Sequence, residues 1–116
     1  MRRSKQEERA IARERIARLL ALADEATREG TPERATRYVH LARRVGMKYV
    51  VRLSPAQRRR VCRRCEAFLV PGKTSRVRLR EGKVAQTCLA CGTVRRFGYS
   101  REQRARRRAR HESARA

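Results

Sequence analysis

Four cysteines in two matched pairs are the residues of this sequence whose types and spacing are best suited to chemistry. Cys62 and Cys65 form one Cys-x-x-Cys pair, Cys88 and Cys91 form the other, and 22 residues separate the pairs. Two residues between cysteines let consecutive sulfurs on a tight turn reach one ion, and two such turns supply the four thiolates of a closed tetrahedral site. The spacing therefore predicts one structural Zn²⁺ ion, which stabilises the fold and leaves no open position for catalysis.

Two other uses of paired cysteines are less favoured. Disulfides are typical of secreted domains, but the sequence begins MRRSKQEERAIARER and has no apolar run there of the kind found in signal peptides. No segment approaches the roughly 18 consecutive apolar residues of a membrane span. A thioredoxin-like redox site would use one Cys-x-x-Cys motif on a βαβ framework rather than two matched motifs. We expect a cytoplasmic protein with reduced, metal-binding thiols.

The sequence is strongly basic, and its charge is concentrated in the half that contains the cysteines. Of 116 residues, 33 are Lys or Arg and 11 are Asp or Glu, a formal net charge of +22. Residues 1–50 have 13 basic and 7 acidic side chains, net +6, whereas residues 51–116 have 20 and 4, net +16. Such self-repulsion opposes compaction unless a polyanion neutralises it. Nucleic acid is therefore the expected partner of the second half.

The pattern of residues 1–50 predicts an antiparallel helical hairpin. Good helix formers run from Lys5 to Glu29, with apolar residues recurring at three- and four-residue steps. Gly30 suits the end of this helix, Thr31 suits the N-cap of the next, and Pro32 suits its first position. A second apolar stripe continues to residue 49. The hairpin is expected to offer a protein-partner surface.

The pattern of residues 51–116 predicts a basic linker, a zinc ribbon and a tail. The linker, 51–61, has a short helix over 55–61, and the ribbon, 62–99, has about three antiparallel strands. Within the ribbon, AFLVPGK is typical of a strand that ends in a turn. SRVRLR alternates like a strand with one cationic and one buried face. The Arg-rich residues 100–116 lack apolar periodicity and are expected to be a flexible tail that orders on a polyanion or only aids solubility. The predicted fold class is small α+β.

Side chains suited to catalysis are scarce. Between residues 51 and 100 the acidic residues are Glu66 and Glu81, too few for the carboxylate cluster of a metal-dependent nuclease. His40 and His111 lie far apart in the sequence, and there is no Gly-rich phosphate loop. The chain is therefore expected to bind nucleic acid rather than to cut it.

Two sets of side chains are candidates for binding. The candidate RNA contacts are the cations around the cysteine turns and on the predicted β-hairpin, with one tyrosine able to stack on an unpaired base: Arg58, Arg59, Arg60, Arg63, Arg64, Arg76, Arg78, Arg80, Lys83, Arg95, Arg96 and Tyr99. The candidate partner contacts are apolar residues of the helices: Ile16, Leu19, Leu20, Leu22, Tyr38, Leu41 and Val45. An ordinary intramolecular core is an equally good interpretation of the second set. Phe68 and Phe97 are expected to be core residues of the ribbon.

Five segments occur in a characteristic order: RYVHLARRVGMKYVVRL, VCRRC, LVPG, SRVRLREG and TCLACGTVRRFGY. In this order they resemble the archaeal ribonuclease P protein component 4 family over roughly residues 8–99. The resemblance implies a non-catalytic subunit of the ribonucleoprotein that removes the 5′ leader from precursor tRNA, with the RNA as catalyst. It also implies zinc at the four cysteines and Arg clusters that support the specificity domain of the ribonuclease P RNA. The N-terminal helices would bind protein component 1, and contact with precursor tRNA would be indirect.

One position departs from the usual pattern of such cysteine turns, and one other class of protein stays open. Glu66 stands where a Gly often follows the second Cys, as Gly92 does in the other turn, and is expected to affect the hydrogen bonds to sulfur. The alternative function is that of a zinc-ribbon protein of the ribosome or the transcription machinery.

Overall fold

The computed structural model describes residues 3–115, and the small α+β fold that the sequence predicts is confirmed. In chain order the elements are α1 (Lys5–Arg28), α2 (Pro32–Tyr49), α3 (Pro55–Arg59), β1 (Ser75–Arg80), β2 (Lys83–Cys88), β3 (Val94–Gly98) and α4 (Ser100–Arg115). The described residues do not include Met1 and Arg2 of the predicted hairpin or Ala116 of the predicted tail. Within the described range, no helix combines the length and apolarity needed to cross a membrane.

The first two helices form the predicted hairpin, packed through small side chains. The contact contains five alanines that are at most 3% exposed: Ala12, Ala23 and Ala26 of α1, and Ala35 and Ala42 of α2. Small residues at the contact let the helix axes approach closely, and the larger side chains fill the space on either side.

The connection between the helices differs in one detail from the prediction. Gly30 adopts a left-handed backbone (φ 87°), as expected for the end of a helix, and Pro32 occupies the first position of α2. Thr31 occupies the N-cap position of α2 as predicted, but its side chain makes no capping bond. Instead the Thr31 hydroxyl donates to the carbonyl of Ala26, at 2.9 Å. The backbone amide of Thr31 donates to the same carbonyl at 2.9 Å, so both groups bond to the end of α1 and the hydroxyl caps no amide of α2.

The hairpin and the ribbon share one hydrophobic core. Val51, Val61, Phe68 and Val70 are buried in the same cluster as the apolar stripes of α1 and α2. The strand predicted for AFLVPGK is wrong, because this segment makes only isolated bridges, such as Val61 with Phe68. Phe68 and Val70 are buried against the helices, whereas Leu69, between them, is buried with Cys62 and Cys88.

The three-stranded sheet has the order β1-β2-β3, and both pairings are antiparallel. Its cysteine end is buried, with Ser75 at 0% and Cys88 at 2% exposed, but Val77 and Leu79 are 42% and 66% exposed. The predicted buried face of β1 is therefore wrong beyond Ser75. The described residues place no second layer over the far end of the sheet, so both faces are exposed there.

The two basic flanking segments also differ from the prediction. The linker helix α3 ends at Arg59 rather than at residue 61, and Ser54 and Gln57 form a reciprocal capping box at its start. Residues 100–115 form α4 where a flexible tail is expected. Arg, Ala, Gln and Glu are strong helix formers even without an apolar stripe. All side chains from 101 to 114 are exposed, so α4 presents cations on every side.

Candidate metal centre and nucleic-acid interface

The two cysteine turns converge on one point. The four sulfur atoms lie within 4.8 Å of one another. Across the turns, Cys62 Sγ lies 3.5 Å from Cys91 Sγ, and Cys65 Sγ lies 3.6 Å from Cys88 Sγ. A tetrahedral ion with metal–sulfur bonds of about 2.3 Å separates its sulfur ligands by about 3.8 Å. The cluster can therefore hold one metal ion with four thiolate ligands after small adjustments.

Both turns have the same backbone arrangement, although one lacks glycine. In the first turn the amide of Glu66 donates to the carbonyl of Cys62 at 3.1 Å, and in the second the amide of Gly92 donates to the carbonyl of Cys88 at 2.8 Å. Glu66 and Gly92 both adopt left-handed backbones, with φ of 60° and 77°. That conformation costs a non-Gly residue about 1–2 kcal/mol. The first turn thus keeps the geometry of the second at an energetic cost.

A contact with the hairpin accounts for the glutamate in the first turn. The Glu66 carboxylate accepts a hydrogen bond from Arg43 Nη1 at 2.6 Å, and its other oxygen lies 3.4 Å from Nδ1 of His40. Both partners are on α2. This contact joins the first cysteine turn to the helical hairpin, and no local sequence pattern could predict it because the partners are more than 20 residues apart.

The cysteine thiols differ in pKa because their surroundings differ. Burial raises the pKa of Cys65 to about 12, and burial also raises the pKa of Cys88. The Thr93 hydroxyl, 3.1 Å from Cys91 Sγ, and the Thr93 amide lower the pKa of Cys91 to about 6. At neutral pH an incoming ion finds a thiolate at Cys91 and must displace protons from Cys65 and Cys88.

One face of the sheet is a continuous cationic surface. In the strand register Arg78 pairs with Ala85, which pairs with Arg96, and Arg80 pairs with Lys83. Directly paired residues share a face, and alternate residues of one strand do so as well. We call this surface the ribbon face. Its members, all exposed, are Arg76, Arg78, Arg80, Lys83 and Arg96.

A second cationic cluster lies on the opposite face. Arg95, next to Arg96 in β3, points to that face and donates from Nη1 to the carbonyl of Arg58 at 3.0 Å. Its pKa is lowered by burial and by the nearby charges of Arg63, Arg58 and Arg59. The guanidinium carbon of Arg59 lies 4.2 Å from the centroid of the Phe97 ring. We call Arg58, Arg59, Arg63 and Arg95 the groove cluster.

The predicted RNA contacts therefore lie mainly on two surfaces. Nine of the twelve belong to the ribbon face or the groove cluster. Arg60 and Arg64 are exposed and Tyr99 is half-buried, and these three join neither group through a described contact. Phe68 is a core residue as expected, whereas Phe97 is only half-buried and packs beneath Arg59.

The predicted partner contacts also divide. Ile16 and Leu20 are 1% and 4% exposed in the core between the helices, so their placement on a partner surface is wrong. The others are half-buried: Leu19, Leu22, Tyr38, Leu41 and Val45. Met47 and Val50, 72% and 75% exposed, are more prominent apolar side chains at the end of α2.

Comparison with known proteins decides the family. The RNAse P Rpr2/Rpp21/SNM1 subunit domain matches residues 15–92, which include the hairpin contact, all four cysteines and β1 and β2. The chain belongs to this family. The resemblance predicted from the five sequence segments is thereby confirmed.

Two relatives within the family cover most of the chain. A ribonuclease P protein component 4 of Methanoculleus marisnigri is 50% identical over 93 residues, 80% of this chain and 88% of the relative. A ribonuclease P protein component 4 of Thermococcus kodakarensis is 43% identical over 109 residues, 91% of this chain and 82% of the relative.

Two solved structures are similar to the fold. A chain of the cryo-EM structure of archaeal ribonuclease P with mature tRNA is 41% identical, with a TM-score of 0.73 and coverage of 90% of this chain and 89% of that chain. The structure of Pfu Rpp21 is 43% identical, with a TM-score of 0.57 and coverage of 74% of this chain and 97% of that chain.

Proposed function

We propose that this chain is a non-catalytic, RNA-binding protein subunit of the ribonuclease P ribonucleoprotein, which removes the 5′ leader from precursor tRNA. The observation that carries the proposal is the likeness, over 90% of the chain, to a chain of archaeal ribonuclease P solved with mature tRNA. The surface residues agree with this proposal. Many exposed side chains are arginines, and the described residues contain no cluster of carboxylates that could hold a catalytic metal ion.

We propose Zn²⁺ as the ion held by Cys62, Cys65, Cys88 and Cys91. Four thiolates at these separations are the donor set of closed structural zinc sites, and such an ion supplies folding energy rather than a reactive position. With the ion bound, the four cysteines would fix the end of α3, the end of β2 and the start of β3 relative to one another. This places the groove cluster and the ribbon face on opposite sides of one rigid sheet.

We propose that the two cationic surfaces contact the specificity domain of the ribonuclease P RNA. Folding of that RNA brings phosphates together, and arginine side chains on two sides of a sheet offset the repulsion between strands that pack on either side. In this way the subunit lowers the Mg²⁺ concentration that the ribonucleoprotein needs. Precursor tRNA is contacted indirectly, through the RNA.

We propose ribonuclease P protein component 1 as the protein partner of the helical hairpin. The support is the half-buried apolar set Leu19, Leu22, Tyr38, Leu41 and Val45, which leaves apolar surface uncovered on both helices. Ile16 and Leu20 are excluded from this contact by their burial.

Binding to ribonuclease P RNA over a range of salt concentrations tests the proposal. The chain should bind this RNA more tightly than an unrelated RNA of equal length, and the triple variant Arg76→Ala, Arg78→Ala, Arg80→Ala should reduce the salt slope. Loss of three phosphate contacts lowers the slope of log K against log salt by about 2.7. The matched control removes the same charge from an exposed part of α1, by Arg9→Ala, Arg13→Ala and Arg15→Ala. Equal affinity for both RNAs, or equal slope changes in the two triple variants, would contradict the proposal.

A further inference from the structure

A buried amide in the middle of β2 has an unsatisfied oxygen. Gln86 is 7% exposed, and its Oε1 has no hydrogen-bond partner among the described residues. An unsatisfied buried acceptor is energetically costly. In the register Gln86 lies between Val77 and Arg95, on the face opposite the ribbon face. Such an atom requires an explanation, and one explanation is a ligand that supplies the missing donor.

The amide lies at the wall of a cationic cavity. The cavity has a volume of about 550 Å³ and is lined by all four arginines of the groove cluster, together with Gln86 and Phe97. No acidic side chain lines it among the described residues, and none of the four arginines forms an ion pair there. Arginines from α3, the first cysteine turn and β3 thus converge without a counter-charge. This arrangement favours an anion, and the volume lies within the roughly 300–1,000 Å³ of ligand pockets.

The remaining walls favour a planar group beside that anion. Arg59 packs over the Phe97 ring at 4.2 Å, and the two together form a flat platform at the edge of β3. A guanidinium and an aromatic ring are both surfaces on which unpaired bases stack. The Gln86 amide carries an acceptor next to a donor, and several bases offer a matching edge: the amino group and ring nitrogen of adenine or cytosine, or the N3–H and O4 of uracil. The amide therefore binds the edge of a base without selecting one base.

We propose that this cavity binds one unpaired nucleotide of RNA, with its phosphate on the groove cluster, its base on the Arg59–Phe97 platform and a donor of the base edge on the Gln86 amide oxygen. This inference rests on RNA binding as the function of the chain. It adds a base-binding pocket on one side of the sheet to the shape-based contact of the ribbon face on the other.

Fluorescence anisotropy with single-stranded decamers of uridine or of N3-methyluridine tests the pocket in the full metal-loaded chain. The methyl group removes the N3–H donor and leaves the phosphates unchanged, so the wild type should bind the uridine decamer at least about fivefold more tightly, the lower limit for one good bidentate contact. Gln86→Met keeps the side-chain volume and removes the amide, so it should abolish this preference and leave the salt slope unchanged. Gln86→Glu supplies an internal carboxylate to the groove cluster, so it should raise the melting temperature and weaken both decamers.

The matched control adds the same charge one residue away. Thr87→Glu lies on the ribbon face, so it should weaken the two decamers by similar factors and preserve the preference between them. A preference that survives in Gln86→Met, or a wild type that binds the two decamers equally, would overturn the pocket. Either result leaves the proposed function intact if the chain still binds ribonuclease P RNA in preference to unrelated RNA, so the two failures are distinguishable.

Discussion

A single methyl group at Gly46 should disturb the junction between the hairpin and the ribbon. Gly46 is buried near the end of α2, and its carbonyl accepts the amide of Val51 at 2.8 Å, which turns the chain out of the helix. Val50, between them in the turn, has a left-handed backbone with φ of 55°. A Cβ at position 46 would lie 2.7 Å from the carbonyl oxygen of Val51, whereas ordinary contact begins at 3.4 Å. The backbone of Val51 would have to retreat by about 0.7 Å, carrying a core side chain with it.

The expected loss follows from two opposing terms. Overpacking against backbone costs about 1–3 kcal/mol, and replacing Gly by Ala inside a helix regains up to about 1 kcal/mol. Gly46→Ala should therefore lower the free energy of unfolding by about 1–2 kcal/mol. For a domain of this size that is a fall in melting temperature of about 5–15 °C. Thermal unfolding of the metal-loaded chain, followed by circular dichroism, measures it.

A second glycine provides the control for this experiment. At Gly98, the end of β3, no atom lies within 4 Å of the position that an added methyl group would take, and the residue does not have a positive φ. Gly98→Ala should leave the melting temperature within about 2 °C of the wild type, as expected for a surface substitution without a specific contact. If Gly46→Ala is as stable as Gly98→Ala, the close approach of Val51 does not constrain the junction.

Three further predictions concern the metal centre and its link to the hairpin. Cys88→Ser should lose the ion and unfold the ribbon, because metal binding is folding energy in such modules; native metal content with a native melting temperature would contradict the four-thiolate site. Metal retention against a chelator should fall as pH is lowered from 8 to 6, because the pKa of Cys65 is raised to about 12 and protons compete with the ion for that sulfur; retention independent of pH would contradict it. In a double-mutant cycle, Glu66→Ala and Arg43→Met should show a coupling of about 0.5 kcal/mol in the free energy of unfolding, since the pair is partly exposed; strictly additive losses would mean that the contact contributes nothing.

Features determined by neighbours in the sequence could be predicted. The cysteine turns depend on a two-residue spacing, the hairpin on helical periodicity with Gly30 and Pro32 between the helices, and the start of α3 on Ser54. Each is set by a few consecutive residues and by backbone geometry. The fold class followed from these local features.

Features determined by tertiary contacts could not be predicted. AFLVPGK has the composition of a strand, but Phe68 and Val70 are buried against helices more than 15 residues away in sequence. The exposure of Leu79 depends on how far the helices extend over the sheet, which no strand pattern records. The Glu66 contact and the Arg59–Phe97 platform likewise join residues distant in sequence. The separation of the arginines into two surfaces required the strand register.

Cleavage of precursor tRNA at limiting Mg²⁺ tests the central claim most directly. The ribonuclease P RNA and its other protein subunits are assembled with and without this chain, and the initial cleavage rate is measured across a Mg²⁺ titration. Because the proposed role of the chain is to supply cations to the RNA, adding it should shift the titration midpoint to lower Mg²⁺ and raise the rate below saturation. A rate and a Mg²⁺ requirement that are the same with and without the chain would contradict its assignment as a ribonuclease P subunit.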